Sequence, residues 1–548
     1  MDPFTRDGML NRLCGSRVPK QDATGFLKSP VCSLCFPVRQ SSKLRPCEDL
    51  CNNGQNNATS IGETMSLITC EEPALIAEEF FELANSMGVP PPKLTIAVDD
   101  VSRGYNNFPS DREYVMCMWH QGAQAPRYYV FKCMMFGSSA SVVHFVRSLL
   151  LLKRFGARMF ATVARAYIDD WIITDYKLAG DSAQMVFDSL HSCIHIPVAA
   201  CRYRSCPNCN STPSPLVLGD TLPAKCKRRR PQARQELLGV VCDVSMAHKG
   251  RVTITPKPSR CINILADLCS CQVLQTISQK QAERLVGKLS FIIVSSIFGS
   301  IGRAQTLAFY RRSQAKSEDG KSEDLSDCWT PLMSSALAFL ELILHPDTLP
   351  CRLIEFGDDM PVFLCSDATG DGGIGLNACD PKEPTILWSR TCSCPEWLKA
   401  ELVVMCPADL HGIHRIQGHL EMLGALVCVL TFTDLIRGRR VTMYQDNAAA
   451  FNAAVSGFSR RSSVLAVVGR FHAAVAALST CIWVEHVDTH AMLADIPSRL
   501  GDSAPHKHQV EYDALGFCTR QAVFPSPREW ASDKTLFLNV RHMLKPHA

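Results

Sequence analysis

Two adjacent carboxylates, Asp169 and Asp170, follow Tyr167-Ile168 between apolar runs. Neighbouring carboxylates repel, so a fold that aims both at one cavity needs a cation there, and hard oxygen ligands suit Mg2+. A third acid, Asp100, follows the apolar run Leu94–Val98, with Asp99 beside it as the alternative ligand. A strand-end carboxylate next to a hairpin-borne pair is the donor set of two-metal phosphoryl transfer. Taken singly, Tyr-x-Asp-Asp is a short motif, and an exposed acidic turn is the commoner use of such residues. A second set lies downstream. Asp367 follows Val362–Cys365, Glu421 sits in the segment GHLEMLGAL, Asp446 follows Val441–Tyr444, and Asp495 lies in Ala494-Asp-Ile-Pro-Ser-Arg499. Four carboxylates from separate elements around one cleft are what two-metal hydrolysis of a phosphodiester requires.

These acids need elements to hold them. Helical spacing runs from Ala74 to Met87 and stops at Pro90-Pro91-Pro92. Leu94–Val98 reads as a buried strand, Tyr128–Met135 as another, and Ser141–Phe155 as a helix. Phe160–Ala166 and Trp171–Thr174 read as two strands joined at the acidic turn. A strand pair is expected around Leu237–Val244 and Arg251–Thr255. From Ser259 to Leu344 the pattern is helical, broken by the polar stretch Ser313–Asp327. Composition shifts at Pro361, where VFLCSDATGDGGIGL fits a strand, a Gly-rich turn and a strand. A helix over Leu420–Leu435 and strands over Val441–Tyr444 and Cys481–Val487 follow. Alternating strands and helices point to α/β or α+β modules.

In this order the motifs resemble those of the reverse transcriptases. Tyr105 stands five positions after Asp100, as an aromatic does after that family's first palm acid, and residues 167–170 match its central Tyr-x-Asp-Asp. Phe136-Gly137-Ser138-Ser139-Ala140 with Phe145 is similar to the template-gripping motif between them, and Leu238-Gly239-Val240 with Lys257 to the far edge of the palm. Lys43-Leu-Arg45-Pro-Cys-Glu-Asp49 resembles the fingers segment that meets the triphosphate. The downstream acids, with Asp446-Asn447 and the terminal Ala-Asp-x-Pro-Ser-Arg, resemble a retroelement ribonuclease H domain. Met492 departs from that pattern, which often has Asn near that position. Together with Leu285–Ser290 (LVGKLS), the terminal motif is most similar to the DIRS-like group.

The resemblance implies an α+β right-hand polymerase followed by an α/β ribonuclease H-like domain. Its divisions would be residues 1–95 (N-terminal segment and fingers), 96–260 (palm), 261–350 (helical thumb or connection), 358–500 (ribonuclease H-like), and an unassigned tail over 501–548. It implies Mg2+, with Mn2+ as a substitute, at Asp100, Asp169 and Asp170 and again at Asp367, Glu421, Asp446 and Asp495. Lys43 and Arg45 would neutralise the triphosphate, Tyr105 would exclude a ribose 2′-hydroxyl, and Gly137 would let the backbone approach. The implied partners are an RNA template, a DNA primer, RNA–DNA hybrid and dNTPs. A non-catalytic or domesticated nucleic-acid-binding remnant is the rival reading, and a polymerase with an inactive nuclease is a third.

Composition sets the bounds. The chain has 548 residues and a net charge of +4, long enough for several cores and without the strong basic bias that by itself marks a nucleic-acid binder. Its longest apolar stretches fall short of the ~18–20 residues that span a membrane. No apolar leader segment stands in Met1–Leu10, so an intracellular location, cytoplasm or nucleus, is expected. Most of the 27 cysteines read as small buried hydrophobes. Cys206 and Cys209 have zinc-ligand spacing, but no regular second pair follows, which disfavours zinc. The basic run Lys225–Arg230 suits a solvated loop, a phosphate contact or a nuclear localisation signal.

Overall fold

A computed structural model describes residues 32–40, 43–48, 56, 67–101, 104–118, 127–134, 138–194, 198, 228–296, 300–314, 329–345, 351–356, 360–406, 416–459, 462–499 and 513–542. They form a mixed α/β chain with several sheets, in two compact units. The first comprises residues 1–238 and 243–249, the second 239–242 and 250–548.

The first unit opens with β1 (Cys32–Gln40) and β2 (Lys43–Glu48), an antiparallel pair. Helix α1 (Glu72–Ser86) follows, then β3 (Leu94–Asp100), β4 (Pro109–Met118) and β5 (Arg127–Cys133). Next come α2 (Ser139–Phe160), β6 (Val163–Tyr167), β7 (Asp170–Tyr176), α3 (Ser182–Cys193), β8 (Arg229–Gln232) and β9 (Arg234–Leu237). Strands order β2-β1-β4-β5 in one sheet and β6-β7-β3-β8 in another. The second sheet holds the acidic hairpin, and β3 is its buried neighbour. Trp171, fully buried on β7, donates its indole N–H to His191 Nε2 of α3 at 2.8 Å and packs on Phe187, fixing the strand against the helix.

Helix α2 runs five residues past the expected end at Phe155, because its one glycine is a packing residue and not a stop. A Cβ on Gly156 would stand 2.8 Å from Thr162 Oγ1 and 3.1 Å from Phe187 Cζ. The helix ends at Ala161, with a left-handed φ of 51°, so the next strand begins at Val163 and not at Phe160. The expected strand over Leu237–Val244 is likewise corrected. Leu238 and Gly239 have φ of 45° and 86°, a turn conformation that no strand adopts, and they separate β9 from β10.

The second unit contains β10 (Val240–Asp243, all but its last residue) and β11 (Arg251–Pro256). Four helices follow as expected, α4 (Pro258–Leu274), α5 (Gln279–Ser296), α6 (Arg303–Ser313) and α7 (Pro331–Leu344); residues 315–328 lie outside the described ones. Then come β12 (Arg352–Glu355), β13 (Val362–Ala368), β14 (Gly373–Cys379), β15 (Leu387–Ser393) and α8 (Glu396–Met405). Helices α9 (Gln417–Thr431) and α10 (Thr433–Ile436) lead to β16 (Arg440–Gln445), α11 (Ala448–Ser456), α12 (Ser462–Leu478), β17 (Cys481–His486) and α13 (Asp495–Ser498). The chain continues through β18 (Cys518–Thr519), α14 (Pro527–Ala531) and α15 (Asp533–His542). Six strands order β17-β16-β13-β14-β15-β18, with β13, β16 and β17 parallel and β14 antiparallel to β13.

Helix α9 is buried on every side, each residue from His419 to Thr431 included, as a helix at the centre of a core must be. Helices α14 and α15 join this core. Phe537 of α15 meets Phe339 of α7 edge-on at 6.2 Å, and Arg470 of α12 donates from Nε to the Trp530 carbonyl at 2.7 Å while lying over the Trp530 ring. Of the sixteen cysteines whose burial is described, eight are buried and two, Cys193 and Cys518, are exposed. No described helix is long and apolar enough to cross a membrane.

Candidate functional site

The hairpin β6–β7 closes on a Tyr167–Asp170 pair with Ile168-Asp169 as its two-residue turn. Ile168 carries a φ of 54°, in the left-handed region that a β-branched side chain avoids. Such a conformation costs about 1–3 kcal/mol and persists where the surrounding structure enforces it. The turn backbone is held from outside, because Val101 N–H donates to the Asp169 carbonyl at 2.7 Å. Across the β3–β7 ladder Asp100 lies directly opposite Asp170. Ligand oxygens of Asp100, Asp169 and Asp170 come within 4.8 Å of one another.

Alternation along β3 separates the two candidate acids at its end. Asp99 takes no part in this group. It is buried on the other side, accepts from Gln184 Nε2 at 3.0 Å and has Arg228 Nε at 3.6 Å. Burial raises its pKa to about 6, against the opposing pull of Arg228. Tyr105 sits beside the acidic group: burial and the Asp169 charge raise its phenol above the usual value. Its ring meets Phe145 of α2 at 5.0 Å, and Phe145 also holds Phe108 at 5.5 Å, so the position is packed from behind.

The second group is built at the ends of β13 and β16 and on α9. Ligand oxygens of Asp367, Glu421 and Asp446 lie within 4.8 Å of one another. Asp367 is buried in the centre of the sheet. Asp446 is set between β16 and α11, whose first turn is capped by Asn447 Oδ1 accepting from the Ala449 and Ala450 N–H groups. Glu421 is 4% exposed; Gln417 Nε2 donates to its Oε1 at 2.8 Å, and Oε2 is buried without a partner. Burial and the neighbouring Asp367 charge push Glu421 up to about 9, and burial pushes Asp367 up to about 6. An orphaned buried carboxylate oxygen beside two further carboxylates suits a divalent cation, which supplies the missing partner and favours the ionised form. The first group offers the same hard oxygen donors.

Asp495 stands apart from these three. Both of its oxygens accept from Arg499 Nη2 at 3.0 Å, although its charge is felt at Asp367. Met492 is buried beside it in sequence. Two residues with no expected role contact the cluster. They are Gln417 and Ser498, whose hydroxyl donates to Asp367 Oδ2 at 2.6 Å. Gln417 lies one helical turn before Glu421, a spacing visible in the sequence, whereas the Ser498–Asp367 contact joins residues with no such signal.

Lys43 and Arg45 lie on β2, across from Gln40 and Val38, and their side chains are outside what is described. Gly137, Cys206, Cys209, Lys225 and Lys227 fall outside the described residues. From the same basic run Arg228 pairs with Asp188 at 2.6 Å, and Arg229 with Glu236 at 3.1 Å.

No protein-family model matches the chain, and no curated protein does. Among solved structures it is similar to a foamy viral protease–reverse transcriptase (dRH) in complex with double-stranded DNA, with 10% identity and a TM-score of 0.40. That match covers 84% of this chain and 66% of the other.

Proposed function

We propose that the chain is an RNA-directed DNA polymerase of a retroelement that also cleaves RNA in RNA–DNA hybrids. The carrying observation is that six of the seven acids expected from motif order gather into two separate groups of three. Divalent ions bound there would lower the pKa of an attacking hydroxyl or water and neutralise charge on the phosphate under attack. Asp100, Asp169 and Asp170 would hold them in the first group, and Asp367, Glu421 and Asp446 in the second. Tyr105, backed by Phe145, would set the width available to an incoming sugar. Lys43, Arg45 and Gly137 would serve the triphosphate, and the palm, thumb and nuclease divisions would follow the expected boundaries.

Primer extension on an RNA template tests the polymerase. Asp169→Asn with Asp170→Asn should abolish incorporation, and equal incorporation by variant and wild type would refute the assignment. Asp446→Asn should abolish hybrid cleavage and leave extension intact. One observation favours a narrower reading, a polymerase whose nuclease is silent: Arg499 occupies both oxygens of Asp495. Hybrid cleavage by the wild type decides between them.

A further inference from the structure

We infer that Gln417 and Ser498 are positioning residues for the Asp367–Glu421–Asp446 group, each occupying one carboxylate oxygen so that the other oxygen is presented to a divalent cation. The inference rests on the nuclease reading for its chemistry but not for its cation.

The Gln417 amide is fixed at both hydrogens. Nε2 donates to Glu421 Oε1 at 2.8 Å and to the Ala368 carbonyl at 2.6 Å, the residue after Asp367 on β13. With both hydrogens spent, Glu421 cannot swing without losing its bond to an amide that is itself tied to the sheet. Its remaining oxygen, Oε2, is buried and unpartnered. Leaving a buried acceptor unmatched costs about 1–3 kcal/mol. A fold that supplies a donor to one oxygen of a carboxylate and none to the other has left room for a cation at the second.

Ser498 acts in the same way on the other buried acid. It is fully buried on α13, and its hydroxyl lies 2.6 Å from Asp367 Oδ2 and 2.9 Å from the Asp495 carbonyl. A hydroxyl has one proton. With Asp367 ionised, the charge-assisted bond to Oδ2 is the stronger claim on it. Oδ2 is thereby held toward α13, leaving Oδ1 for the cluster. Outer donors of this kind fix ligand orientation, and their removal typically costs about ten- to a hundredfold in metal affinity.

The test uses the full chain carrying Asp169→Asn and Asp170→Asn, so that Mg2+ reports on the second group alone. Mg2+ is titrated against thermal unfolding without nucleic acid, and against hybrid cleavage. Gln417→Leu and Ser498→Ala should each raise the Mg2+ concentration for half-maximal stabilisation about ten- to a hundredfold. The concentration for half-maximal cleavage should rise in parallel, with the rate at saturating Mg2+ reduced far less. Gln417→Asn, which keeps an amide, should recover part of the loss. Half-maximal concentrations within twofold of the parent in both variants would overturn the inference, as would loss of maximal rate with unchanged Mg2+ dependence. A parent that Mg2+ does not stabilise would also overturn it. A parent that Mg2+ stabilises but that does not cleave hybrid refutes the nuclease reading alone, and the thermal titration still decides the positioning roles.

Discussion

Replacing Gly375 with alanine should silence the second acidic group without touching any of its acids. Gly375 pairs with Asp367 across the β13–β14 ladder, and the backbone of α13 lies directly on it. A Cβ there would fall against the Ala494 carbonyl oxygen, 2.6 Å from Ser498 N and 3.0 Å from Pro497 C. Ordinary carbon–oxygen approaches are about 3.3–3.6 Å, so relief requires α13 to lift by roughly 1 Å. A lift of ~1 Å takes the Ser498 hydroxyl, now 2.6 Å from Asp367 Oδ2, to about 3.6 Å, beyond hydrogen-bond range. Overpacking of this kind costs about 1–3 kcal/mol, and a misplacement of ~1 Å at a reacting centre costs on the order of a hundredfold in rate. Gly424→Ala is the matched control. Its Cβ would lie 3.7 Å from Asp367 O, Ile374 Cγ2 and Ser366 Cβ, ordinary contacts, inside a helix where alanine gains roughly 0.5–1 kcal/mol over glycine. Initial rates of hybrid cleavage and thermal unfolding would be compared for both variants. Cleavage by Gly375→Ala within threefold of wild type, or equal losses in the two variants, would refute the steric argument.

Two further outcomes follow from the acids. Glu421, held at about 9, and Asp367, held at about 6, keep protons that the unfolded chain releases near pH 4. The stability they confer on the ion-free protein is full below that pH and is lost as pH rises through 6 and 9, by at most about 1.4 kcal/mol per pH unit per proton. Denaturant midpoints should therefore fall between pH 5 and 8, the fall should shrink in Glu421→Gln, and Mg2+ stabilisation should grow over the same interval; a midpoint equally steep in Glu421→Gln would contradict this. Asp99→Asn should leave primer extension within a few-fold of wild type, because its carboxylate is turned to Gln184 and Arg228, whereas Asp100→Asn should abolish it; equal losses would show that the two acids had been assigned to the wrong faces.

What could be read in advance depended on how local the signal was. Leu94–Val98 ending in carboxylates and the acidic turn at 168–169 were visible because apolar runs and polar breaks alternate within a few residues. The positive φ at Ile168 was not, since isoleucine is no turn former and only tertiary contacts hold it there. At Leu238-Gly239 an apolar leucine hid a turn inside an apparent strand. At Gly156 the helix runs on past its expected end at Phe155, because that glycine serves a close approach to Phe187 across the fold. Asp367, Glu421 and Asp446 were legible as residues ending or lining elements, but the burial of Asp367 and Glu421 was not, nor was the pairing of Asp495 with Arg499. Gln417 and Ser498 act on residues four positions and 131 positions away respectively, and only the first distance has a sequence signature.

The last described helices alter what counts as a transferable piece of this protein. A segment cut where the recognisable motifs stop, near residue 500, would strip the Trp530 carbonyl from a deeply buried guanidinium at Arg470 and bare the faces that Phe537 and Val540 cover. Such a fragment would carry every acid of the second group and still be a sticky, ill-folded object. The heritable module is therefore longer than its signature. Recombination or shuffling that respected only the motif borders would break it, which gives the unremarkable stretch over residues 527–542 a claim to be passed on with the acids it never touches.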